Sequence, residues 1–441
     1  MNPQRFLRLV SGAMAALGIS AAAIVALNLR GEDPLPSAET LKPTPALVAQ
    51  GEYLTRVGNC MACHTVQGGA PFAGGRGIET PFGVVYSSNL TPDKATGLGA
   101  WTSAEFWRAM HNGRGKDGRL LYPAFPYTSY THVTREDSDA IFAYLQSLPP
   151  VAQANKAHAL RFPYSTQAAL GVWRALFFTP ADAAQPAPPA PQALATAQVP
   201  DYQRGAYLVN GLGHCAACHT PRNSLGAEQQ GQALAGGLIP VQNWLAPALT
   251  DAGQAGVQRW PQADVVALLK TGVAPQASVI GPMAEVVFRS TQYLSDADAR
   301  AMAVYLQALP EHAATPAKQA VAPASVMERG AKVYEAQCAQ CHGAQGQGAK
   351  DEAGQPAFPP LAGNRAVVLA DPTNLVRVVL QGGYLPATAG NPRPHGMPPF
   401  QHLLGDEDVA AVATFVRNSW GNQAAGVGTI EVYRARERRT P

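Results

Sequence analysis

Apolar positions along the chain form one uninterrupted run followed by three copies of a single helical pattern. The run, Leu9 to Leu29, reads "LVSGAMAALGISAAAIVALNL" and carries no charge; Arg5 and Arg8 precede it. As a helix of about 1.5 Å rise per residue it would reach about 31 Å, the thickness of a bilayer core. A secretory signal has a shorter apolar region with a small-residue cleavage site after it, whereas here the small residues lie inside the run and "NLRGED" follows. Residues 1–30 are therefore expected to form a membrane anchor, with a cleaved signal peptide as the alternative. Either way the leading positive residues keep the amino terminus in the cytoplasm and the body is exported.

Each repeat opens with a glycine and an aromatic on a short helix: "GEYLTRVGNC" (Gly51, Tyr53), "GAYLVNGLGHC" (Gly205, Tyr207) and "GAKVYEAQC" (Gly330, Tyr334). Each closes on an apolar-periodic helix with an acidic start: "TREDSDAIFAYLQSLP", "LSDADARAMAVYLQALP" and "LGDEDVAAVATFVRNSW". Such openings suit helix amino termini. Tyr144, Tyr305 and Phe415 fall at matching places in the closing helices. A glycine on the opening helix would let that aromatic pack closely where the two helices cross. A middle helix, "SAEFWRAMHNG", "QADVVALLKTG" or "PTNLVRVVLQGG", ends in every case at glycine.

Pro/Ala-rich stretches separate the repeats, and the one from Thr179 to Pro200 is expected to be extended. The boundaries follow: anchor or signal 1–30, domains 48–178, 201–310 and 325–423, a linker at 179–200 and a tail at 424–441. The basic cluster "YRARERR" in that tail reads as a solvated end. "HALRFPYSTQAALGVWRALFF" extends the first repeat, either packing on its own domain or facing a partner subunit or the membrane. A length of 441 residues suits several domains, and a net charge of only +3 gives no footprint for nucleic acid.

All six cysteines lie in three copies of C-x-x-C-H: Cys60, Cys63 and His64; Cys215, Cys218 and His219; Cys338, Cys341 and His342. This is the attachment pattern of c-type haem. Two intervening residues put both sulfurs on one helical turn, where they can form thioethers with the porphyrin vinyl groups, and the histidine is aimed at the iron. Structural zinc needs four ligands per site, and three odd pairs do not divide into such sites. A thioredoxin-like pair needs a βαβ setting, and none surrounds these motifs. Disulfides would leave the histidines unexplained. Three covalently attached haem c groups are expected. The fold expected around them is all-α, with three helices and long loops per haem.

With these residues the chain resembles the multihaem cytochrome c subunits of bacterial membrane-associated dehydrogenases. The resemblance rests on "GEYLTRVGNCMACHT", "GGAPFAGGRGIETPFGVVYSSNLTPD", "DGRLLYPAFPYTSY", "GAYLVNGLGHCAACHTPRN" and "MPPFQHLLGDEDVAAVATFVRNSWGN", and covers nearly all of residues 48–423. It implies three tandem class I-like cytochrome c domains at the periplasmic side of the inner membrane. It further implies an electron-transfer subunit, not itself an enzyme, passing electrons from a catalytic dehydrogenase subunit to ubiquinone or onward to a terminal oxidase. "GAQGQG" (Gly343 to Gly348) directly follows a haem motif and reads as a loop, so no nucleotide or flavin site is evident, and substrate oxidation belongs on another chain. A peroxidase-like haem enzyme and a haem-based sensor are the competing readings. The first lacks a convincing distal acid–base pair, the second a signalling domain.

Class I-like domains close the iron with a methionine from the loop between the middle and closing helices, and thioether ligation raises the potential. Met283 is the only methionine in the second such loop and Met397 the only one in the third. In the first, "RGKDGRLLYPAFPYTSYTHVTRED", Phe125 stands where related subunits carry methionine in a "YPAMPY"-like segment. Phenylalanine cannot ligate iron. The alternatives are His111, which otherwise reads as a surface residue; Met110, aligned with Leu269 and Val379 and read as packing; His132; or an open iron. Haem 1 is accordingly expected to be the lowest-potential centre or the one nearest the quinone. Three catalytic partners fit: a molybdenum/iron–sulfur aldehyde or heterocycle dehydrogenase, a quinoprotein alcohol dehydrogenase, or a flavin sugar-acid dehydrogenase. The departure at Phe125 ranks the molybdenum type first.

Overall fold

A computed structural model of the chain describes residues 3–32, 34–35, 41–182, 188–312, 322–350, 354 and 356–437. They cluster into two compact units. The first is Met1–Thr55, Cys63–Pro186 and Ser224–Ala227; the second is Arg56–Ala62, Ala187–Asn223 and Glu228–Pro441.

In the first unit the apolar run forms a helix, Pro3–Leu29. The leading helix Pro45–Val57 crosses the closing helix Arg135–Ser147 at Gly51. A Cβ there would lie 1.9 Å from the carbonyl oxygen of Ala140 and 2.8 Å from the Cβ of Tyr144, so only glycine permits the approach. The middle helix Ser103–Asn112 has both ends specified locally. Thr102 and Glu105 form a capping box at its start, and Gly113 closes it at φ 59°. Thr134 caps the closing helix through the amide of Asp137. The extension of the repeat is a further helix, Gln167–Phe177, capped by Thr166; its Leu170, Gly171 and Arg174 are buried. It rests against the apolar helix and, through Arg174, the end of the middle helix, while Val172 and Leu176 stay exposed.

The second unit holds the other two repeats. Val199–Tyr207 leads the second, with middle helix Gln262–Thr271 and closing helix Asp296–Gln307. Ala324–Gln337 leads the third, with Thr373–Gln381 and Asp406–Arg417. Gly205 meets Ala301 and Tyr305, and Gly330 meets Ala411 and Phe415, in the same close crossing as Gly51. The spacing from this glycine to the first cysteine is longest in the second repeat. The excess is taken up by a π-helical turn, Leu208–Leu212, in which Gly213 N–H reaches back to Leu208 O at 2.7 Å. A π turn is the usual way to absorb a residue inserted into a helix, and is common at functional sites.

The described chain is largely helical, as expected, with one addition to that picture and two corrections. Among the described residues, short antiparallel strand pairs join the helices: a three-stranded sheet of Gly77–Thr80, Gly83–Tyr86 and Ala159–Leu160, and four two-stranded ones. They pin the long loops, whose backbone groups need partners the helices cannot supply. The stretch Thr179–Pro200 is not extended to its end, since Thr196–Gln198 form a 3₁₀ turn running into the leading helix; residues 183–187 lie outside the described residues. The tail is not a solvated end. Thr429–Glu437 is a helix whose Val432 and Ala435 join the core of Val376, Leu380, Val409 and Ala413. Arg436 pairs with Asp406 at 2.8 Å and donates to Leu404 O; residues 438–441 lie outside the described residues. Two apolar positions three apart on a short, highly charged segment are too weak a pattern to stand out in sequence.

Candidate haem sites

Each C-x-x-C-H segment forms a single helical turn: Cys60–His64, then Ala216–His219 and Ala339–His342 directly after Cys215 and Cys338. The histidine rings are held alike. His64 Nδ1 lies 2.7 Å from Ser88 O, His219 Nδ1 2.8 Å from Pro247 O, and His342 Nδ1 3.0 Å from Pro359 O. A carbonyl only accepts, so Nδ1 carries the proton and Nε2 presents its lone pair. Burial also pushes each imidazole pKa down, toward the neutral form that ligates metal. No disulfide joins any of the six cysteines. Burial raises the Cys215 thiol to about 12 and the Cys338 thiol to about 11. Two thiols and one oriented imidazole per turn fit covalent haem attachment with a histidine ligand. They do not fit a thiolate zinc site, which needs four converging donors.

Two sets of contacts around these turns recur in all three repeats and escaped sequence reasoning. The residue before each crossing glycine ties to an acid in the first turn of the closing helix. Gln50 donates to Asp137 and Arg204 to Asp298, each at 2.8 Å, and Arg329 to Asp408 at 2.8 Å. Two residues after each packing aromatic, a side chain donates to the backbone ahead of the middle helix. Gln146 reaches Leu98 O at 2.8 Å, Gln307 reaches Trp260 O at 2.6 Å, and Arg417 reaches Val367 O and Leu369 O at 2.8 Å. The signal was their fixed offset from the glycine and the aromatic, visible only once the helix crossing is known.

Met283, expected as a distal ligand, is half-buried at the start of the helix Pro282–Arg289. Gly281 precedes it at φ 56°, with the Trp244 ring where a Cβ would stand, 2.8 Å away. Met397 is half-buried in the strand Gly396–Met397, paired with Gly383–Tyr384. Gly382, which ends the middle helix, lies so close that a Cβ would meet Met397 O at 2.4 Å. Both methionines thus sit on the loop between the middle and closing helices.

In the first repeat that loop carries Phe125, half-buried, its ring 5.4 Å from that of Tyr130. Tyr127 N–H donates to Phe125 O at 2.7 Å, and the Tyr127 side chain is fully buried, its pKa raised to about 12 by desolvation. Met110 is buried, in line with a packing role. His111 is not a surface residue: it is 5% exposed, with its ring stacked on Trp107 at 4.5 Å. A single polar residue in helical register cannot reveal that its face is covered by other segments. His132 is half-buried, and desolvation lowers its pKa.

The cytochrome c family model matches residues 48–149, 202–310 and 327–420. The chain is 39% identical over 399 residues to the cytochrome c subunit of the quinone alcohol dehydrogenase of Gluconobacter oxydans, covering 86% of this chain and 80% of that one. It is 39% identical over 401 residues to the gluconate 2-dehydrogenase cytochrome c subunit of Pantoea cypripedii, covering 88% of each. It is also 35% identical over 431 residues to the fructose dehydrogenase cytochrome subunit of Gluconobacter japonicus, covering 90% of this chain and 85% of that one.

Proposed function

The chain belongs to the cytochrome c family, and from that premise we propose that it carries three covalent haems which relay electrons from a periplasmic dehydrogenase subunit to ubiquinone or the respiratory chain. Its relatives are electron-transfer subunits of dehydrogenase complexes, not their catalytic chains. When bound, haem c supplies one-electron redox chemistry at iron. The chain's own residues hold and tune it. Cys60 and Cys63, Cys215 and Cys218, and Cys338 and Cys341 would form the thioethers. His64, His219 and His342 would ligate through Nε2, and Met283 and Met397 would complete two of the irons.

The observation that carries the reading is the threefold repetition of the oriented histidine, with Nδ1 2.7, 2.8 and 3.0 Å from a backbone carbonyl. The same crossing glycine and packed aromatic attend each one. The three repeats would be three domains, the third extended by the carboxy-terminal helix. The apolar helix Pro3–Leu29 would anchor the chain in the inner membrane with its haems on the periplasmic side. Among catalytic partners, the departure at Phe125 favours a molybdenum/iron–sulfur dehydrogenase over a quinoprotein or flavoprotein one.

Haem quantified as the pyridine haemochrome against protein mass is expected to give three per chain; two or fewer would refute the assignment. Identification of co-purifying subunits, with molybdenum analysis, tests the partner class. A quinoprotein or flavoprotein partner would overturn that ranking.

A further inference from the structure

The carboxy-terminal end of the apolar helix is built into the first unit by polar contacts. Asn28 Nδ2 donates to Gly171 O at 2.9 Å, and Asn28 Oδ1 accepts from Arg174 Nε at 3.0 Å. Arg114 donates to Asn28 O at 3.0 Å and pairs with Glu32 at 2.8 Å; both side chains are largely buried. Asn112 donates to Gly31 O at 3.0 Å, and Arg30 donates to Phe178 O. Residues 28–32 therefore serve four side chains of the body: Asn112, Arg114, Arg174 and, through Glu32 at 3.9 Å, Arg108. Without them, three arginines would be left largely buried beside the gap, two of them, Arg108 and Arg114, stripped of the Glu32 carboxylate. Removing one partner from a buried charged network is strongly unfavourable.

Arg174 carries the contact further. It is 3% exposed and donates through Nη1 to Asn112 O at 2.7 Å. Its guanidinium lies 5.2 Å from the centre of the Tyr127 ring and 4.7 Å from that of Phe178. Tyr127 is wedged against Gly113, where a Cβ would meet its ring at 2.6 Å, and stands edge-on to Phe178 at 4.9 Å. Its amide holds Phe125 O. The path from Asn28 to Phe125 thus runs through packed or hydrogen-bonded groups at every step.

We propose that Asn28–Glu32 remain in the mature chain as a built part of the first haem domain, and that Arg174 is a positioning residue coupling the membrane anchor to the loop that carries Phe125. This rests on the reading of the first repeat as a haem domain. A cut after Glu32, as in a signal peptide, would dismantle the network. The anchor's end then supports the environment of the first haem and leaves the other two untouched. The exposed apolar side chains Val172 and Leu176, on the helix that grips Asn28, suit a segment resting at the membrane surface.

The test uses the haem-loaded chain purified from membranes. Peptide mapping is expected to recover a segment spanning Asn28–Glu32; a mature amino terminus beyond Glu32 overturns the proposal. In Asn28→Ala and Arg174→Gln, redox titration with magnetic spectroscopy is expected to move one haem component while the other two stay. Arg174→Lys should restore part of the shift. Asn28→Ala leaves Arg174 in place, so it decides the matter if Arg174→Gln fails to fold. Three unmoved components, or three that move together, overturn the coupling. A haem count distinguishes the two levels: fewer than three haems defeats the underlying reading, whereas three haems with a lost segment or unmoved components defeats this proposal alone.

Discussion

At the residue scale, the chemistry rests on a few atoms presented in a particular state. Each motif histidine keeps its Nε2 lone pair available because a carbonyl holds Nδ1 within 3.0 Å. The sixth position is expected to distinguish the three proposed haem centres. Replacing Phe125 with methionine is expected to raise the potential of one component, because thioether sulfur favours ferrous iron. A redox titration indistinguishable from wild type would show that Phe125 does not face the first iron. Met283→Ala and Met397→Ala should each open one iron, seen as carbon monoxide binding by one additional haem after reduction. Unchanged carbon monoxide binding in either variant would remove that methionine from the ligand set.

At the element scale, the crossing of leading and closing helices is the unit that repeats. Gly205→Ala would drive a Cβ to 1.9 Å from Ala301 O and 2.8 Å from the Cβ of Tyr305. Backbone must move, at a cost of about 1–3 kcal/mol or more. Denaturant titration should show the loss in the second unit; wild-type stability would contradict the close crossing. Thr134→Ala, which removes the cap held by the Asp137 amide, should cost about 1 kcal/mol. The two appended helices each brace a backbone carbonyl of their own repeat through an arginine, at different places. Gln167–Phe177 braces the end of one middle helix through Arg174, and Thr429–Glu437 braces the loop before one closing helix through Arg436.

At the scale of the whole molecule, the second and third repeats share one compact unit. Asn374 exchanges hydrogen bonds with both backbone groups of Leu245, at 2.9 and 2.7 Å. Arg377, 1% exposed, donates to Gln242 O and Asn243 O and lies 4.5 Å from the centre of the Trp244 ring. Trp244 in turn backs Gly281, two residues before Met283. Arg377→Ala should therefore cost about 2 kcal/mol in hydrogen bonds and cation–π contact. It should also split the unfolding of this unit into two transitions, and a single sharp transition in scanning calorimetry would argue against that coupling.

Much of this was legible along the chain because it is local. A C-x-x-C-H turn is set within five residues, and Thr134, Ser295 and Gly113 mark helix ends through bonds to near neighbours. The crossing glycines could be read because a glycine-bearing helix before the cysteine motif and an aromatic in the closing helix appear together three times. The ties from Gln50, Arg204 and Arg329 could not, since their acids lie 87, 94 and 79 residues away and the pairing exists only after the chain reverses. His111 and Ala435 were misjudged for a related reason: one buried position in a polar setting has no period to betray it. By itself the sequence determined where the C-x-x-C-H turns lie, how many times the pattern recurs and that Phe125 stands in the first loop where the other two carry methionine, because those depend on short stretches of chain. Tertiary structure alone decided that Asn28 meets Arg174 and that Arg377 meets Trp244, because burial of a charged side chain depends on which distant segments close over it.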